Sequence, residues 1–350
     1  MDIDSIRSSL SSTLVQVKRH NISLPLILES KIETIDLLSW LAGQPEPVKF
    51  YWADRDGTTE IAGVGNAFTL YGNPKSSSTE QAGRINDILN QQQPIFLSAR
   101  RFDCSRSLDS LWQPFPVDVC YIPERLILRD SECYKYRICL PVETETDMED
   151  LIAEAQRMNF DPARQSDAIK TDESYRPVAS SSEPDSDRWR ESVNHVLRAI
   201  KTNLVQKTVL ARRTDYRFEK KIDPVEFLYS LNRHNRRCYA AMYQIDPERA
   251  FISVSPERFY RRIENRIELD ALSSTAPRGD SKLQDSQFEN NLRQSDKERR
   301  EHQFVIEGVA QTISELGLDD PVIGETAVLK LDQVQHLWTP VTATLQPSIT

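Results

Sequence analysis

The sequence has 350 residues, of which 39% are hydrophobic and 28% charged, as is typical of a globular protein with room for two domains or one large interwoven domain. The formal net charge of −9 argues against a nucleic-acid partner bound by bulk electrostatics, although a local basic pocket for an anionic substrate stays compatible with it. No stretch approaches the ~18 apolar residues of a membrane span, and the start Met1-Asp2-Ile3-Asp4 lacks the basic and apolar regions of a signal peptide.

The cysteines indicate the compartment. There are five, an odd number, and they form no CxxC pair: Cys104, Cys120, Cys133, Cys139 and Cys238. This pattern is typical of reduced cytosolic thiols and not of a disulfide framework or a zinc site. We therefore expect a cytoplasmic protein, or one of the plastid stroma if the source is a plant or alga.

Residues 1–158 are predicted to be a β-rich half with a mostly antiparallel sheet. The turn Arg55-Asp56-Gly57 between the apolar runs at 50–52 and 60–65 predicts a hairpin. Helical spacing predicts helices at 6–18, 35–41, 78–89 and 145–158. Strands are predicted at 24–28, at 95–102 and within 117–140.

Residues 159–187 are rich in Ser, Asp, Pro and Arg, which predicts a solvated linker or surface loop. The second half, 188–350, opens with a predicted helix at 189–204, followed by an apolar strand that contains Lys207. A helix at 224–232 precedes two paired strands at 238–244 and 250–254, and a further strand at 266–272. The pattern then turns helical at 287 and stays so to 316.

Two residues near strand ends suggest acid–base chemistry. Lys207 lies in the run Gln206-Lys207-Thr208-Val209-Leu210-Ala211, where burial of an ammonium is costly and would tune the lysine toward a general base. Glu257 offers a carboxyl group after the next apolar run. Together they suggest an enzyme that moves protons on both faces of a small substrate, whereas the alternative for Lys207 is a snorkelling side chain on an edge strand.

Two acidic residues suggest a metal site. Glu298 and Glu301 are three residues apart in a helical segment, so both carboxylates project from one face. Mg²⁺ usually takes one or two carboxylates and completes its octahedron with water and substrate oxygens. The alternative is an ordinary exposed helix face whose acids balance the neighbouring basic residues. His336 is likewise compatible with a packing role.

Five motifs occur in a recognisable order. They are Lys-x-Val-Leu-Ala-Arg at 207–212, Ser-Pro-Glu-Arg-Phe at 255–259, Ser-Thr-Ala-Pro-Arg-Gly at 274–279, Lys-Glu-x-x-Glu-His-Gln-x-Val at 297–305 and His-Leu at 336–337. Together they resemble the chorismate-utilising enzymes, and within that group the isochorismate synthases. The resemblance is strong over 189–345 and weaker over 47–70.

The resemblance implies an α+β fold in which antiparallel sheets pack face to face with helices outside. It also implies a reaction in which water attacks C2 of chorismate while the C4 hydroxyl leaves, with Mg²⁺ holding the substrate carboxylate. Lys207 matches the base position and Glu257 the acid position. Glu301 matches a magnesium ligand and Glu298 a neighbouring carboxylate. His336, Thr275 and the adjoining Ser274 match positions that line the substrate pocket.

The presence of Lys207 helps to distinguish the reactions within this group. Anthranilate and aminodeoxychorismate synthases deliver ammonia, which needs no base, and they usually lack this lysine; we therefore expect no glutamine amidotransferase partner. Ser273 also stands where aminodeoxychorismate synthases carry a nucleophilic lysine. Salicylate synthases share the lysine, so Lys207 does not exclude this activity. The sequence also leaves open whether isochorismate is used for menaquinone, phylloquinone or a siderophore.

Two departures from the family pattern affect these expectations. Ser274 stands where the family usually has glycine, whose missing Cβ lets backbone and substrate approach closely. Family members also continue beyond the His-Leu pair, through a second glutamate ligand and residues that bind the substrate carboxylates. The sequence therefore predicts a fold that is incomplete at its C-terminus and a chain without isochorismate synthase activity by itself. The alternative is a non-catalytic paralogue that acts as a binding or regulatory subunit.

Overall fold

The computed structural model describes residues 3–73, 76–89, 94–103, 110–158, 169, 175–318 and 320–345. These residues divide into two compact units. Unit 1 comprises residues 1–170, 224–229 and 240–253, and unit 2 comprises 171–223, 230–239 and 254–350. The expected α+β class, with antiparallel sheets and helices, is confirmed.

Unit 1 is built on two antiparallel sheets. Their strands are β1 (Leu24–Ile32), β2 (Lys49–Ala53), β3 (Thr59–Val64), β4 (Phe68–Tyr71), β5 (Leu97–Arg100), β6 (Asp118–Ile122), β7 (Arg125–Asp130), β8 (Cys133–Val142), β11 (Tyr239–Asp246) and β12 (Arg249–Ser255). The larger sheet has the order β1-β8-β7-β3-β2-β11-β12 and the smaller the order β4-β6-β5. The helices are α1 (Ile3–His20), α2 (Leu37–Ala42), α3 (Ser78–Leu89), α4 (Met148–Arg157) and the first part of α6 (Pro224–Arg233).

Alternating side chains build the core of unit 1. Leu97, Val119 and Tyr121 of the smaller sheet pack against Phe50 and Ile61 of the larger one. This is the face-to-face packing that period-two burial produces, because one face of each strand is apolar. Helices α1 and α4 pack against the edge formed by β1 and β8. The predicted hairpin at residues 50–65 is confirmed as β2 and β3.

Unit 2 is built on one antiparallel sheet and a separate strand pair. The strands of the sheet are β13 (Arg261–Ile263), β14 (Arg266–Pro277), β15 (Val322–Ile323), β16 (Ala327–Lys330) and β17 (Val334–Thr344). Their order is β13-β14-β17-β15, with β16 also paired to β17. The separate pair joins strands β9 (Pro177–Glu183) and β10 (Arg213–Phe218). The helices are α5 (Ser186–Lys201), α7 (Lys282–Gln294) and α8 (Asp296–Glu315).

Helix α8 covers one face of the sheet in unit 2. Ile306 and Ile313 pack against Ala271 of β14 and against Val341 and Ala343 of β17. The opposite face carries Leu272 and Trp338, which pack with Cys238, Leu329 and Leu331. The two faces therefore follow the alternation along β14 and β17.

A β-bulge interrupts this alternation in β14. The register with β17 shifts between Ser273 and Thr275, and the intervening Ser274 has a positive φ of 56°. As a result Ser273 and Ser274, although adjacent, both bond to residues of α8, while Thr275 bonds to His336 of β17. A bulge re-aims the side chains that follow it.

Three sequence-based predictions of secondary structure are wrong. The segment around Lys207 is not a strand: residues 205–212 have no regular structure, and β10 begins only at Arg213. Part of the predicted linker, Pro177–Glu183, is strand β9, which pairs with β10 and is largely exposed. The continuous helix predicted at 287–316 is two helices, because Ser295 adopts extended dihedral angles and its side chain caps α8.

The described residues contain neither a disulfide bond nor a helix suited to a membrane. Cys120, Cys133, Cys139 and Cys238 form no disulfide with one another, and Cys104 lies outside the described residues. Of the helices in the described part of the chain, none combines the length and apolarity that crossing a membrane would require.

Candidate functional site

Lys207 and Glu257 lie close enough in unit 2 to interact electrostatically. The pKa of Glu257 is raised from its ordinary value, first by desolvation and second by the negative charge of Asp270. The positive charge of Lys207 acts in the opposite direction and lowers it. The structure thus brings together the two residues predicted to act as base and acid, although Lys207 is only half-buried and lies outside any strand. Their catalytic roles stay predictions.

Asp270 is a buried carboxylate beside this pair. It accepts a hydrogen bond of 3.0 Å from the indole Nε1 of Trp338. Next to Glu257, the guanidinium of Arg258 donates to Tyr239 and to Glu268, at 2.9 and 2.7 Å. The protonation of Glu257 is therefore sensitive to the charge of Asp270, while hydrogen bonds hold its sequence neighbour Arg258 in place.

Thr275 and His336 form a second part of the candidate site. The Oγ1 of Thr275 is hydrogen-bonded to Nδ1 of His336 at 3.1 Å across β14 and β17. Desolvation lowers the pKa of His336, and a hydrogen bond with the backbone of Ser274 partly offsets this effect. A half-buried, neutral imidazole on the sheet face opposite α8 can bind a polar group of a ligand by hydrogen bonding.

Glu298 and Glu301 share one flank of the first turns of α8. The ammonium of Lys297 lies 3.0 Å from a carboxylate oxygen of Glu298, and both glutamates raise the pKa of that lysine. The two carboxylates therefore act on one cation, as the spacing of three residues predicts. The Lys297 side chain is 82% exposed, and it can swing away from Glu298.

The chemistry of this pair fits a hard divalent cation. Carboxylate oxygens are the ligands that Mg²⁺ prefers, and one or two suffice when substrate and water supply the rest. Within the described part of the chain, no group of three or more His, Cys, Asp or Glu residues is arranged to hold a metal alone. Any site formed by Glu298 and Glu301 would thus rely on ligands from outside the pair.

A buried hydrogen-bond network fixes α8 on the sheet. His302 is buried, with Nδ1 bonded to the hydroxyl of Ser273 and Nε2 to that of Thr339, both at 2.8 Å. Thr339 is bonded in turn to Thr326 at 2.8 Å. Desolvation lowers the pKa of His302, which favours the neutral ring. The adjacent Glu301 is therefore held in place relative to the bulge of β14.

The Pro-Arg-Gly part of the third motif has a structural role. Arg278 binds Asp285 of α7 through two nitrogens, at 2.7 and 3.1 Å, and Lys330 reaches the same carboxylate at 2.8 Å. These partners hold the pKa of Asp285 well below its ordinary value. A Cβ added at Gly279 would overlap the backbone nitrogen of Asp285. Glycine therefore lets the end of β14 contact the start of α7.

Sequence reasoning missed Asp270, His302 and Lys297. Asp270 had a usable signal, an acid inside the apolar run Leu269 to Leu272. His302 and Lys297 belong to the fourth motif, which was interpreted only through its two glutamates as a metal site. Their roles depend on partners that are far away in the sequence or on the opposite element, and local spacing does not reveal these partners.

Comparison with known proteins decides the family. The model of the family described as chorismate binding enzyme matches residues 12–350. The chain belongs to this family. It is similar to isochorismate synthase MenF of Escherichia coli strain K12, with 27% identity over 318 residues, and to MenF of Pasteurella multocida strain Pm70, with 25% over 313 residues. These alignments cover 87% and 89% of the chain but 66% of each relative, so the chain spans slightly less than two thirds of their length.

Solved structures confirm the fold of this family member. The structure of E. coli MenF, the menaquinone-specific isochorismate synthase, superposes with a TM-score of 0.73 at 22% identity, covering 97% of this chain and 76% of that one. Anthranilate synthase component I of Streptococcus pneumoniae TIGR4 gives a TM-score of 0.58 at 13% identity, covering 84% and 70%. The fold is thus shared by relatives that differ in the reaction their names state.

Proposed function

We propose that this family member takes part in the Mg²⁺-dependent conversion of chorismate to isochorismate, by addition of water at C2 and loss of the C4 hydroxyl. One observation carries the proposal: the charge of Lys207 acts on Glu257, whose pKa is raised. Water needs a base to become a nucleophile, and a departing hydroxide needs a proton. The pair supplies both groups, Lys207 as the base and Glu257 as the acid.

The surroundings of Glu257 suit a general acid. Desolvation and the negative charge of Asp270 favour its protonated form, which is the form that must exist before the C4 oxygen leaves. Thr275 and His336 would bind a polar group of the substrate on the same sheet face as Asp270. Ser274 shapes the same region through the bulge.

Glu298 and Glu301 would hold the magnesium ion. When bound, the ion would neutralise a carboxylate of the substrate, which lowers the cost of placing this dianion beside other acids. His302 and Ser274 keep the first turn of α8 on the sheet and so maintain the position of the two glutamates. Lys297 would leave Glu298 when the ion binds.

The test measures the Lys207→Ala and Glu257→Gln variants beside the wild type, each produced from the whole gene. Loss of a general base or acid is expected to depress turnover of chorismate by ~10²–10⁴-fold while chorismate affinity changes little. Lys201→Ala, at the exposed end of α5, is the matched control and should leave turnover unchanged. Wild-type rates in Lys207→Ala without added amine would contradict the assignment.

The product identifies the reaction within the family. Isochorismate alone is expected, with no release of pyruvate and no aminated product in ammonium buffer. Pyruvate with salicylate would show a salicylate synthase, and anthranilate would show an ammonia-using enzyme. An aminated product in Lys207→Ala but not in the wild type would support the role of Lys207, because ammonia needs no base.

A further inference from the structure

A cleft of about 540 Å³ lies on the other flank of α8 in unit 2. It runs between α8, the end of α7 and the strand β17. Its lining includes Arg293, Asp296, Arg299, Arg300, Ile306 and Leu337. Its volume falls within the range of small-molecule sites. We name it the arginine cleft.

Cations dominate the mouth of the arginine cleft. Arg293 is ion-paired with Glu289 at 3.0 Å. Arg299 and Arg300 are exposed, and among the described residues neither guanidinium has an ion-pair or hydrogen-bond partner. The acid in the lining is Asp296. Two unpaired guanidinium groups therefore face one carboxylate, in a chain whose net charge is −9.

The lining of the arginine cleft includes two apolar side chains, which form its floor. Leu337 and Ile306 are buried, and His302 beside them uses both ring nitrogens in bonds to Ser273 and Thr339. The floor can therefore contact an apolar group but offers a ligand no free imidazole nitrogen. Polar recognition is left to the mouth, where arginine provides planar donor pairs.

The arginine cleft is separate from the candidate magnesium site. Consecutive residues of an α-helix are about 100° apart, so Arg299 and Glu301 point to nearly opposite flanks of α8. Leu337 and His336 are adjacent in β17 and face opposite sides of the sheet. An anion in the cleft would thus be screened by the helix and the sheet from the Lys207–Glu257 pair.

We propose that the arginine cleft binds a small organic carboxylate with a compact apolar body, at a site distinct from the catalytic one. The carboxylate contacts Arg299 and Arg300, and the apolar body lies on Ile306 and Leu337. Charge alone would suit inorganic phosphate equally well, but only an amphipathic ligand uses the apolar floor. This inference does not depend on the proposed reaction.

The experiment measures binding of 4-fluorobenzoate by ¹⁹F NMR, with saturable binding at a Kd of about 1 mM or tighter as the expected result. Arg299→Gln and Arg300→Gln should each weaken binding about two- to fivefold, because an ion pair to an exposed arginine contributes about 1 kcal/mol or less. Asp296→Asn should strengthen it, since it removes the negative charge of the lining. All three residues are exposed, and circular dichroism checks that the variants fold.

Three controls decide between sites and ligands. Arg198→Gln, an exposed arginine of α5, and Lys207→Ala should leave the affinity for 4-fluorobenzoate unchanged. 4-Fluorobenzyl alcohol and inorganic phosphate should bind at least about tenfold more weakly than the carboxylate. Unchanged affinity in Arg299→Gln and Arg300→Gln, or loss of binding in Lys207→Ala, would overturn the site. Equal affinity for phosphate would overturn the ligand class.

Discussion

The hydroxyl of Ser274 donates a hydrogen bond of 2.9 Å to the backbone carbonyl of Glu298. This bond ties the bulge of β14 to the first turn of α8. One side of the bulge leads to Thr275 and His336, and the turn of α8 carries Glu298 and Glu301. The strand and helix parts of the candidate site are therefore joined at one serine.

Substitutions at Ser274 separate its backbone role from its side-chain role. A positive φ costs a non-glycine residue roughly 1–2 kcal/mol, and the hydrogen bond returns about 0.5–1.5 kcal/mol. Ser274→Gly loses the bond but also the strain, so its free energy of unfolding should stay within about 1 kcal/mol of wild type. Ser274→Ala keeps the strain, loses the bond and should be about 1 kcal/mol less stable than Ser274→Gly. Urea unfolding measures the difference; equal stability of the two variants would argue against the left-handed backbone.

The protonation of Glu257 can be followed without any turnover. Its carboxyl should titrate above the ordinary value of 4.5, because desolvation and Asp270 raise its pKa. Asp270→Asn should lower the midpoint, since it removes a negative charge and keeps an acceptor for Trp338. Lys207→Met should raise the midpoint. Carbon-13 NMR of the labelled Glu257 carboxyl measures the midpoint in the wild type and in both variants. An unchanged midpoint in Lys207→Met would show that the two charges do not interact.

The same shift predicts a dependence of stability on pH. A carboxyl whose pKa is higher in the folded state binds more protons there than in the unfolded chain, so its contribution becomes less favourable as pH rises above 4.5. Glu257→Gln removes this group. The stability of the variant relative to wild type should therefore increase as pH rises through that window and level off above the folded-state pKa. Urea midpoints at a series of pH values test it, with Glu248→Gln as an exposed control.

Two glycines of unit 2 should respond in opposite directions to alanine. Gly279→Ala should destabilise by about 1–3 kcal/mol, since the added methyl group overlaps the backbone of α7. Gly308 lies inside α8, and a methyl group added there would meet no atom within 4 Å beyond its chain neighbours and the nearby backbone of the helix, so Gly308→Ala should stabilise by about 0.5–1 kcal/mol. Thermal unfolding distinguishes the two signs. A tolerated Gly279→Ala would mean that β14 and α7 are farther apart than in the structure.

Lys297 should compete with a divalent cation for the glutamates of α8. Lys297→Ala is expected to tighten Mg²⁺ binding by a few-fold, because exposed ion pairs contribute only about 1 kcal/mol or less. Glu301→Gln should weaken it. Titration calorimetry with Mg²⁺ and chorismate measures both, and Lys282→Ala, at the start of α7, is the matched control. Weaker binding in Lys297→Ala would show that the ammonium does not oppose the metal.

Local signals predicted much of the fold and less of the site. The turn at Asp56-Gly57 and the helical spacing at 78–89 and 224–232 match β2–β3, α3 and α6, because these elements depend on neighbours in the sequence. The run Val209-Leu210-Ala211 indicated a strand, but a strand also requires a partner, which no local pattern supplies. The break at Ser295 did have a local signal, the Ser-x-x-Glu capping pattern that ends at Glu298.

The prediction of the candidate site rested on the order of the five motifs more than on any single residue. Glu298 and Glu301 share a flank because helical geometry requires it, and the structure agrees. The burial of Asp270 and the bonds of His302 result from long-range packing of β14, β17 and α8. The roles of Lys207, Glu257, Thr275 and His336 in chemistry stay predictions until the variants are measured.

The bulge in β14 also constrains how the sequence can change in length. Ser273 lies opposite Leu337 and Thr275 opposite His336, so Ser274 is the one extra residue. Removing Ser274 would restore a regular pleat and leave Thr275 opposite His336, whereas losing or gaining one residue elsewhere in β14 would turn the later side chains to the opposite face. Two aligned sequences that differ by one gap at the bulge would therefore present the same later residues of this strand to a ligand.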